Sequence, residues 1–493
     1  MLPPFETAPD VIARYLEDAA HYPGGHATAV VRPSSVDEVS AIVRAASRAL
    51  VVGAQSSLTG GATPAGDLVV SSERLRGVHR DGDRVTVGAG VTLDALQQQL
   101  ATHGVWLPPV PTFLGATAGG AASTNAAGAA TFKYGTTRDW VEGLTVVLAS
   151  GHVLAIRRGD ITASDAGWFE FARDDRTWRV PVPAIRMPDV PKCSAGYFSA
   201  PHMDLVDLFV GSEGTLGAIV DVTFRVQRRP AGVCWVLIRL RDEDHGIALV
   251  NALRQRDAHG IDVAAIEHID GRTLEILRED GVDRRLNVNV PPETALVLIV
   301  QIEFADDSDR PLAKLSELLD RFGTLDATEV VMPGNPSRRD AFIQFRESAP
   351  ASVNRRVALA QAQVDKRIHK TAADSIVPFD RFGEMMRRCR RLFAERNVDL
   401  AVWGHISDGN VHPNVVPRSY RDIEEGKAIM LELGREVIAM GGSPLAEHGV
   451  GRSPMKQELL RMLYGDEGIE SMRGVKRTLD PEWKLARGVL FQP

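Results

Sequence analysis

The stretch GATAGGAASTNAAGAATFKYGTTRDWVEGL, from Gly115 to Leu144, contains no large apolar side chain before Phe132. A segment made of Gly, Ala, Ser and Thr cannot bury enough apolar surface to form a core of its own. Small residues do allow the backbone to approach a flat, extended ligand closely. Linker disorder is the alternative, but the Tyr-Gly-Thr-Thr sequence and the strong strand pattern after it argue against disorder. We therefore expect this stretch to line a ligand.

Two further loops of small residues lie in the same half of the chain. VGAQSSLTGGATP (Val52–Pro64) follows an apolar strand pattern, and FVGSEGTLGAIVDVTFRV (Phe209–Val226) leads into one. Successive N–H groups in such loops can bind an anion. The first loop is not a P-loop, because no Gly-Lys-Ser/Thr follows, and it lacks the G-x-G-x-x-G spacing of a Rossmann fingerprint. Three such loops predict a long, dinucleotide-like ligand with a pyrophosphate and a planar ring.

The bulk composition is that of a globular protein with more than one domain. A chain of 493 residues is too long for one ordinary core, so two or three domains are expected. The formal net charge of −7 argues against nonspecific nucleic-acid binding. Cys193, Cys234 and Cys389 form no CxxC pair, which excludes an iron–sulfur or Cys-rich zinc site. So sparse a cysteine count suits a reducing compartment.

The N-terminus and the apolar runs bear on the protein's location in the cell. MLPPFETAPD lacks the basic and apolar regions of a signal peptide. The strongest apolar run, TALVLIVQI (Thr294–Ile302), is too short to span a bilayer and is typical of a buried strand. We expect a cytoplasmic protein, with peripheral contact to a membrane left open, and a homodimer as the default oligomer.

The sequence pattern changes after Pro230. A strand, a helix and a strand are predicted in turn by CWVLIRL, DHGIALVNALRQRDAHG and IDVAAIEHI. The same order is repeated by TALVLIVQIEF, DRPLAKLSELLDRFG and TLDATEVVM. Two such units predict a ferredoxin-like antiparallel sheet with helices on one side. We therefore expect an α+β protein with one domain at 1–230, a second at 231–417, and a largely helical segment at 418–493 that completes the active site.

The segment WGHISDGNVHPNVV, from Trp403 to Val416, places two histidines around an Asp-Gly pair. Asp-Gly favours a two-residue type I′ hairpin loop, which would put His405 directly opposite His412 on one face. Asn414 lies two residues beyond His412 and would share that face. Two imidazoles so placed can bind one cation. The alternative is a surface hairpin that happens to contain histidines.

Five motifs in order resemble those of a known enzyme family: SSLTGGATP, ATAGGAASTNAAGAATFKYGTT, GSEGTLGAI, GHISDGNVHPN and EHGVG. From about His26 to the C-terminus, the chain is similar to FAD-linked 2-hydroxy-acid dehydrogenases and oxidases of the vanillyl-alcohol oxidase/p-cresol methylhydroxylase superfamily. Members include D-lactate dehydrogenase, the flavin subunit of glycolate oxidase and D-2-hydroxyglutarate dehydrogenase. The resemblance implies a two-subdomain FAD-binding domain of the p-cresol methylhydroxylase type, followed by the ferredoxin-like substrate (cap) domain.

The resemblance also implies which residues bind FAD. The Val52–Pro64 loop would cradle the pyrophosphate, the long small-residue stretch would follow the flavin and ribityl chain, and the Phe209–Val226 loop would complete the adenine and pyrophosphate site. These cofactor-binding residues are Gly53, Ala54, Gln55, Ser56, Ser57, Leu58, Thr59, Gly60, Gly61, Pro111, Thr112, Gly115, Ala116, Thr117, Gly120, Ser123, Asn125, Ala126, Gly128, Glu213, Gly214, Gly217 and Ile219. The first loop contains no histidine, so histidyl attachment there is impossible and noncovalent FAD is expected.

In similar enzymes, a divalent metal is held at positions that correspond here to His405, His412 and Glu447, and we expect that metal to be Zn²⁺. His448 corresponds to the active-site base, and Asn414 would lie near the substrate.

Two basic residues correspond to the family's contacts with the substrate carboxylate. Arg346 fits the first, although it could instead form a helix-surface ion pair with Glu347 or another neighbour. Lys370 fits the second less well, because its spacing to Asp374 is longer than the family's. Pro350 also stands where some relatives have a hydroxyl group. These departures bear on the substrate more than on FAD.

The resemblance implies oxidation of a D-2-hydroxy acid to the 2-oxo acid by hydride transfer to flavin N5. The metal would polarise the substrate hydroxyl, and His448 would accept its proton. Lactate, glycolate and 2-hydroxyglutarate stay open as substrates, and a quinone, an electron-transfer flavoprotein, a cytochrome or oxygen as the electron acceptor. Two alternatives remain: a noncatalytic FAD-binding subunit of a multi-subunit hydroxy-acid oxidase, and a metal hydrolase without flavin.

Overall fold

The structure, a computed structural model, describes residues 2–108, 111–174, 176–304 and 309–493. Within these ranges, the sheets divide between the parts of the chain before and after about residue 230. None of the helices in these ranges is both long and apolar enough to cross a membrane.

The first half is built from short strands joined by tight turns, as the sequence predicts. Its strands are β1 (His26–Val31), β2 (Ala49–Val52), β3 (Ala65–Ser71), β4 (Val78–Asp81), β5 (Arg84–Gly88), β6 (Val105–Trp106), β7 (Val141–Val147), β8 (Val153–Arg157), β9 (Trp168–Arg173), β10 (Arg176–Pro181), β11 (Ala218–Arg225) and β12 (Gln227–Arg228). A parallel sheet has the order β1-β3-β2, and an antiparallel sheet has the order β4-β5-β11-β7-β8. β9 pairs with β10, and β6 with β12.

Short helices connect these strands. They are α1 (Pro9–Ile12), α2 (Val36–Ala45), α3 (Leu93–Ala101), α4 (Ala118–Ser123), α5 (Thr131–Tyr134) and α6 (Leu205–Phe209). Within the Gly115–Leu144 stretch, residues 118–123 form α4, and the Thr117 side chain caps its first turn. A Cβ added at Gly119 would lie 2.6 Å from the Ala89 Cβ. The small residues are therefore required for packing of α4 against the adjoining sheet.

The second half contains one seven-stranded sheet. Its strands are β13 (Gly232–Leu240), β14 (Asp262–Asp270), β15 (Leu296–Phe304), β16 (Thr328–Val331), β17 (Ser375–Ile376), β18 (Leu400–His405) and β19 (Asn410–Val415). The order is β16-β13-β15-β14-β18-β19-β17, and every pair is antiparallel. β13, β14, β15 and β16 are the four strands of the two predicted strand–helix–strand units. The ferredoxin-like core is thus present, extended at one edge by the histidine hairpin.

Helices cover both faces of this sheet. The helices after residue 230 are α7 (Glu243–Arg254), α8 (Arg256–His259), α9 (Gly271–Glu279), α10 (Val282–Arg285), α11 (Asp309–Arg321), α12 (Pro336–Gln363), α13 (Phe382–Glu395), α14 (Tyr420–Ala439) and α15 (Pro454–Leu479), of which α15 packs elsewhere. The expectation of helices on one side only is wrong. Val300 and Ile299 are neighbours on β15 and therefore lie on opposite faces of the sheet. Both are buried, in different apolar clusters, so helices must cover each face. α9, α10 and the start of α12 cover the second face.

The last part of the chain contributes to both cores. α14 packs its apolar residues into the core of the second half, through Ile423, Ile429 and Leu433. α15 and the C-terminus instead join the core of the first half, and Phe491 contacts Tyr197 there. α15 is kinked at Gly465, which has a φ of 69°. The chain therefore returns to the first half after building the second, and this return places residues 443–451 between the halves.

Candidate functional site

The histidine hairpin has a different turn from the predicted one. His405 pairs with Asn410, and His412 pairs with Trp403, so the loop runs from Ile406 to Gly409 rather than over Asp408 and Gly409 alone. Asp408 cannot occupy an exposed turn position, because its buried carboxylate lies 3.1 Å from Lys192 Nζ. The predicted register, with the two histidines directly opposite each other, is wrong.

Both histidines nevertheless lie on one face of the hairpin. They are diagonal neighbours, with ring centroids 5.6 Å apart. His405 Nε2 lies 3.3 Å from Glu447 Oε1, and His412 Nε2 lies 3.2 Å from the same oxygen. Each of His405, His412 and Glu447 offers one potential ligand atom that lies within 4.8 Å of the other two. Two imidazole nitrogens and a carboxylate oxygen form a donor set that suits Zn²⁺ and leaves coordination positions open.

His448 lies beside this group. Its ring centroid is 4.8 Å from that of His412, and its Nε2 lies 3.5 Å from Glu447 Oε1. The Asp374 carboxylate accepts the backbone N–H groups of Glu447 and His448, both at 2.8 Å, and so fixes this segment. Burial lowers the pKa of His448 to about 4, although the charge of Asp374 opposes that shift. The His448 imidazole is therefore neutral near pH 7 and able to accept a proton.

Buried charged residues surround the two imidazoles. Glu267 Oε2 lies 3.1 Å from His405 Nδ1, and Asp374 Oδ1 lies 3.4 Å from His412 Nδ1. Burial alone would raise the pKa of Glu267, but Arg346 and His405 lower it to about 2. Burial would lower the pKa of His405, but the charge of Glu267 raises it to about 9. The carboxylates around the imidazoles thus favour positive charge at the centre of the site.

Sequence reasoning missed Lys192, Glu267 and Asp408 as members of this site, and treated Asp374 only as a spacing marker. Lys192 Nζ lies 2.7 Å from Glu447 Oε2, and its side chain is fully buried. Nothing near Lys192 in the sequence signals this position. Glu267 did carry a signal, because a charged residue interrupts the otherwise apolar strand IDVAAIEHI.

Of the residues expected to contact substrate, Arg346 and Asn414 lie beside this group. Arg346 is on α12, and its Nε lies 3.1 Å from Glu267 Oε1, so its partner is Glu267 rather than Glu347. Asn414 is buried and donates to the His412 carbonyl, while its Oδ1 has no hydrogen-bond partner in the described structure. The Lys370 residue is exposed. Desolvation by the surrounding protein, together with the positive charge of Lys456, lowers the pKa of Lys370 to about 8.

A cavity in the first half is walled by the three small-residue loops and reaches Glu447 and His448. Most of the predicted cofactor-binding residues line it: Gly53, Ala54, Gln55, Ser56, Ser57, Leu58, Gly61, Pro111, Thr112, Ala116, Thr117, Gly120, Ser123, Ala126, Glu213, Gly214, Gly217 and Ile219. The others lie outside its wall: Thr59, Gly60, Gly115, Asn125 and Gly128. Asn125, for example, uses its side-chain oxygen to accept the Arg138 N–H at 2.9 Å.

The wall of this cavity fits an extended cofactor because it is made largely of small side chains. A Cβ at Gly53 would collide with Thr117, and a Cβ at Gly61 would lie 3.4 Å from Glu213 Oε2. Sequence reasoning missed further lining residues of the same kind, among them Ala62, Ala89 and Gly119. Such walls allow backbone N–H groups to approach a pyrophosphate and a planar ring closely.

Two family models match this chain. The model described as "FAD binding domain" matches residues 27–157, and the model described as "FAD linked oxidases, C-terminal domain" matches residues 230–490. The first range contains the first two small-residue loops, and the second contains the histidine hairpin and Glu447.

Full-length relatives match over nearly the whole chain. The chain is 28% identical to "Glycolate oxidase subunit GlcD" of Bacillus subtilis over 94% of this chain and 88% of that protein. It is 26% identical to a D-lactate dehydrogenase of Anaerostipes hadrus, over 96% and 91% of the two chains. It is also 26% identical to a D-2-hydroxyglutarate dehydrogenase of Stutzerimonas stutzeri, over 98% and 95%.

The fold is shared with a solved structure of alkyldihydroxyacetonephosphate synthase. The TM-score is 0.65 at 15% identity, and the match covers 98% of this chain and 81% of the other. With a C-terminal family match across more than half of its length and an FAD-binding domain before it, this chain belongs to the family of FAD-linked oxidases.

Proposed function

We propose that the protein oxidises a D-2-hydroxy acid to the 2-oxo acid, with noncovalent FAD in the cavity and Zn²⁺ at His405, His412 and Glu447. The position of Glu447 carries the proposal. Its Oε1 faces both imidazoles, at 3.3 and 3.2 Å, and the residue also lines the cofactor cavity together with His448. An alcohol bound at the metal ligands would therefore lie next to the cofactor.

The cofactors would supply the chemistry that the side chains lack: FAD accepts two electrons, and a divalent cation lowers the pKa of a coordinated hydroxyl group. The chain's own residues would bind, orient and deprotonate the substrate. His448 would accept the hydroxyl proton, since its ring is neutral near pH 7 and lies beside Glu447. General-base help of this kind is typically worth about 10²–10⁴-fold in rate.

Polar groups near the histidines would hold the rest of the acid. Arg346 pairs with Glu267 through Nε, and we assign its terminal nitrogens to the substrate carboxylate, which a guanidinium can bind in two-pronged geometry. Asn414, whose side chain is buried and donates to the His412 carbonyl, would lie near the substrate. We keep Lys370 as a second carboxylate contact, and its role stays a prediction.

A substrate panel tests the proposal. Purified protein should be yellow, and its flavin should bleach anaerobically with one or more D-2-hydroxy acids but not with the L-enantiomers. The panel should include both enantiomers of lactate and of 2-hydroxyglutarate, together with glycolate, which is achiral. A yellow protein that none of these acids bleaches would refute the proposed reaction, and an active but colourless protein would refute the role of FAD.

The alternative of a noncatalytic FAD-binding subunit has one observation in its favour, namely that the Bacillus subtilis relative is named as a subunit. The convergence of His405, His412 and Glu447 beside the cofactor cavity favours chemistry in this chain, because a subunit without chemistry would not need this donor set. Reduction of a dye acceptor by the single purified chain separates the two proposals.

A further inference from the structure

We infer that Lys192, Glu267 and Asp374 are positioning residues, each of which holds one of the three candidate metal ligands so that its remaining atom points to a common centre. The inference rests on the metal site of the proposed function and assigns roles to residues outside the ligand set. It is carried by distances between buried side chains, one for each ligand.

Each imidazole has a buried carboxylate close to its outward nitrogen. Glu267 Oε2 lies 3.1 Å from His405 Nδ1, and Asp374 Oδ1 lies 3.4 Å from His412 Nδ1. In both rings Nε2 is the nitrogen that faces Glu447 Oε1. A carboxylate hydrogen-bonded to Nδ1 would keep the proton there and leave the Nε2 lone pair free for a metal, which is the usual arrangement around metal-binding histidines.

The third candidate ligand is held by a cation. Lys192 Nζ lies 2.7 Å from Glu447 Oε2, so only Oε1 is turned toward the imidazoles. Asp408 Oδ2 lies 3.1 Å from the same ammonium group and fixes it from the turn of the histidine hairpin. Lys192 and Asp408 have fully buried side chains, so water does not compete for these contacts. Glu447 is thereby oriented as a ligand through one oxygen.

Asp374 could be considered a ligand itself, because Asp374, His412 and His448 form a second group with converging atoms. Its hydrogen bonds argue for the outer role. Oδ2 accepts the N–H groups of Glu447 and His448 at 2.8 Å, and Oδ1 accepts from Asn410 Nδ2 at 3.2 Å. An ion at this carboxylate would have to compete with three donors that already hold the segment around His448.

The charges in direct contact support a dication at the centre. Four carboxylates of the cluster lie in contact with only two permanently cationic side chains and with the imidazoles. The carboxylates are those of Glu447, Asp408, Glu267 and Asp374, and the cations are those of Lys192 and Arg346. Uncompensated charge is costly at such buried positions, and a divalent cation between the imidazoles and Glu447 would neutralise it.

The test measures Zn²⁺ affinity of the FAD-loaded protein by chelator competition, with metal content by elemental analysis. Glu267→Gln, Asp374→Asn and Lys192→Met should each weaken Zn²⁺ binding by about 10–100-fold, the usual effect of removing an outer partner. The flavin spectrum should be kept. Co²⁺ substitution adds a second readout, since altered visible bands report a change in ligand geometry without any turnover.

Glu243→Gln is the matched control. Glu243 also approaches a buried histidine on the same sheet, with Oε1 3.7 Å from His268 Nε2, but it lies outside the cluster. This variant should bind Zn²⁺ as the parent does. Because Asp374 also anchors the His448 segment, Asp374→Asn is the variant most at risk of misfolding, and Glu267→Gln then decides the matter, with Glu267→Asp expected to recover part of the affinity.

Parent-like Zn²⁺ affinity and Co²⁺ spectra in Glu267→Gln and Lys192→Met would overturn the positioning role while leaving the proposed function intact. A parent protein that binds no stoichiometric divalent metal would overturn the metal site itself. The two failures are therefore distinguishable.

Discussion

The carboxylate of Glu213 accepts the backbone N–H of Val450 at 2.7 Å and that of Gly451 at 2.8 Å. This contact joins the third small-residue loop, which lines the cofactor cavity, to the segment directly after His448. The packing is close, because a Cβ added at Gly449 would lie 2.9 Å from Glu213 Oε1. The wall of the proposed FAD cavity and the proposed base are thus joined through one side chain.

Glu213→Ala should lower both stability and FAD retention. The substitution leaves two buried N–H groups without an acceptor, and each such loss costs about 1–3 kcal/mol. Urea unfolding followed by tryptophan fluorescence measures the first effect, and flavin released on gel filtration measures the second. Glu213→Gln keeps one acceptor oxygen and should lie between the parent and Glu213→Ala. Parent-like stability and flavin content in Glu213→Ala would show that the contact is dispensable.

Gly119→Ala should destabilise the first half of the chain. Its Cβ would lie 2.6 Å from the Ala89 Cβ, and such overpacking typically costs about 1–3 kcal/mol. Gly474→Ala is the matched control, because it adds the same methyl group to the interior of α15 where no atom lies within 4 Å. That variant should gain about 0.5–1 kcal/mol from the better helix former. A thermal shift of the same sign in both would contradict the packing account.

The pH dependence of flavin reduction should lack a step near pH 6.5. Burial lowers the pKa of His448 to about 4, from an ordinary value of 6.5, and a divalent cation nearby would lower it further. The neutral ring is the base, so the rate rises as pH rises through this low pKa and is flat above it. Stopped-flow reduction from pH 4.5 to 8 measures this. His448→Gln should be slower by about 10²–10⁴-fold across the range, and an unchanged rate would remove the residue from the mechanism.

Lys370 can be tested against Arg346 by the pH dependence of KM. Lys370 has its pKa lowered to about 8 by desolvation and by the charge of Lys456, so it loses its positive charge as pH rises through 8. If it binds the substrate carboxylate, KM should rise above pH 8 in the parent and be flat in Lys370→Met. Arg346→Lys should raise KM at every pH, since it removes the two-pronged contact. A KM that is flat above pH 8 in the parent excludes Lys370 from the site.

The sequence alone predicted the features that depend on apolar periodicity and on residue size. The two strand–helix–strand units of the second half follow from apolar periodicity, and the ferredoxin-like core contains β13, β14, β15 and β16 as expected. The cavity lined by the small-residue loops follows from residue size, because large side chains cannot line a close-fitting cofactor wall. These arguments need no knowledge of distant partners.

The features that the sequence did not predict depend on contacts between distant segments. The hairpin turn is longer than Asp-Gly suggests, because Asp408 turns inward to Lys192, which lies far away in the sequence. Arg346 on α12 likewise pairs with Glu267 on β14 rather than with its neighbour Glu347. Buried ion pairs of this kind leave no periodic signal, so only the folded chain shows which charges meet.

The most direct measurement is anaerobic flavin bleaching by an active D-2-hydroxy acid before and after removal of the metal with EDTA. Chelated protein should keep its yellow colour, because the FAD cavity involves mainly the small-residue loops, but it should bleach far more slowly. Added Zn²⁺ should restore the rate in the parent but not in a His405→Ala/His412→Ala variant. Undiminished bleaching by metal-free protein would contradict the central claim that a cation held by His405, His412 and Glu447 activates the substrate.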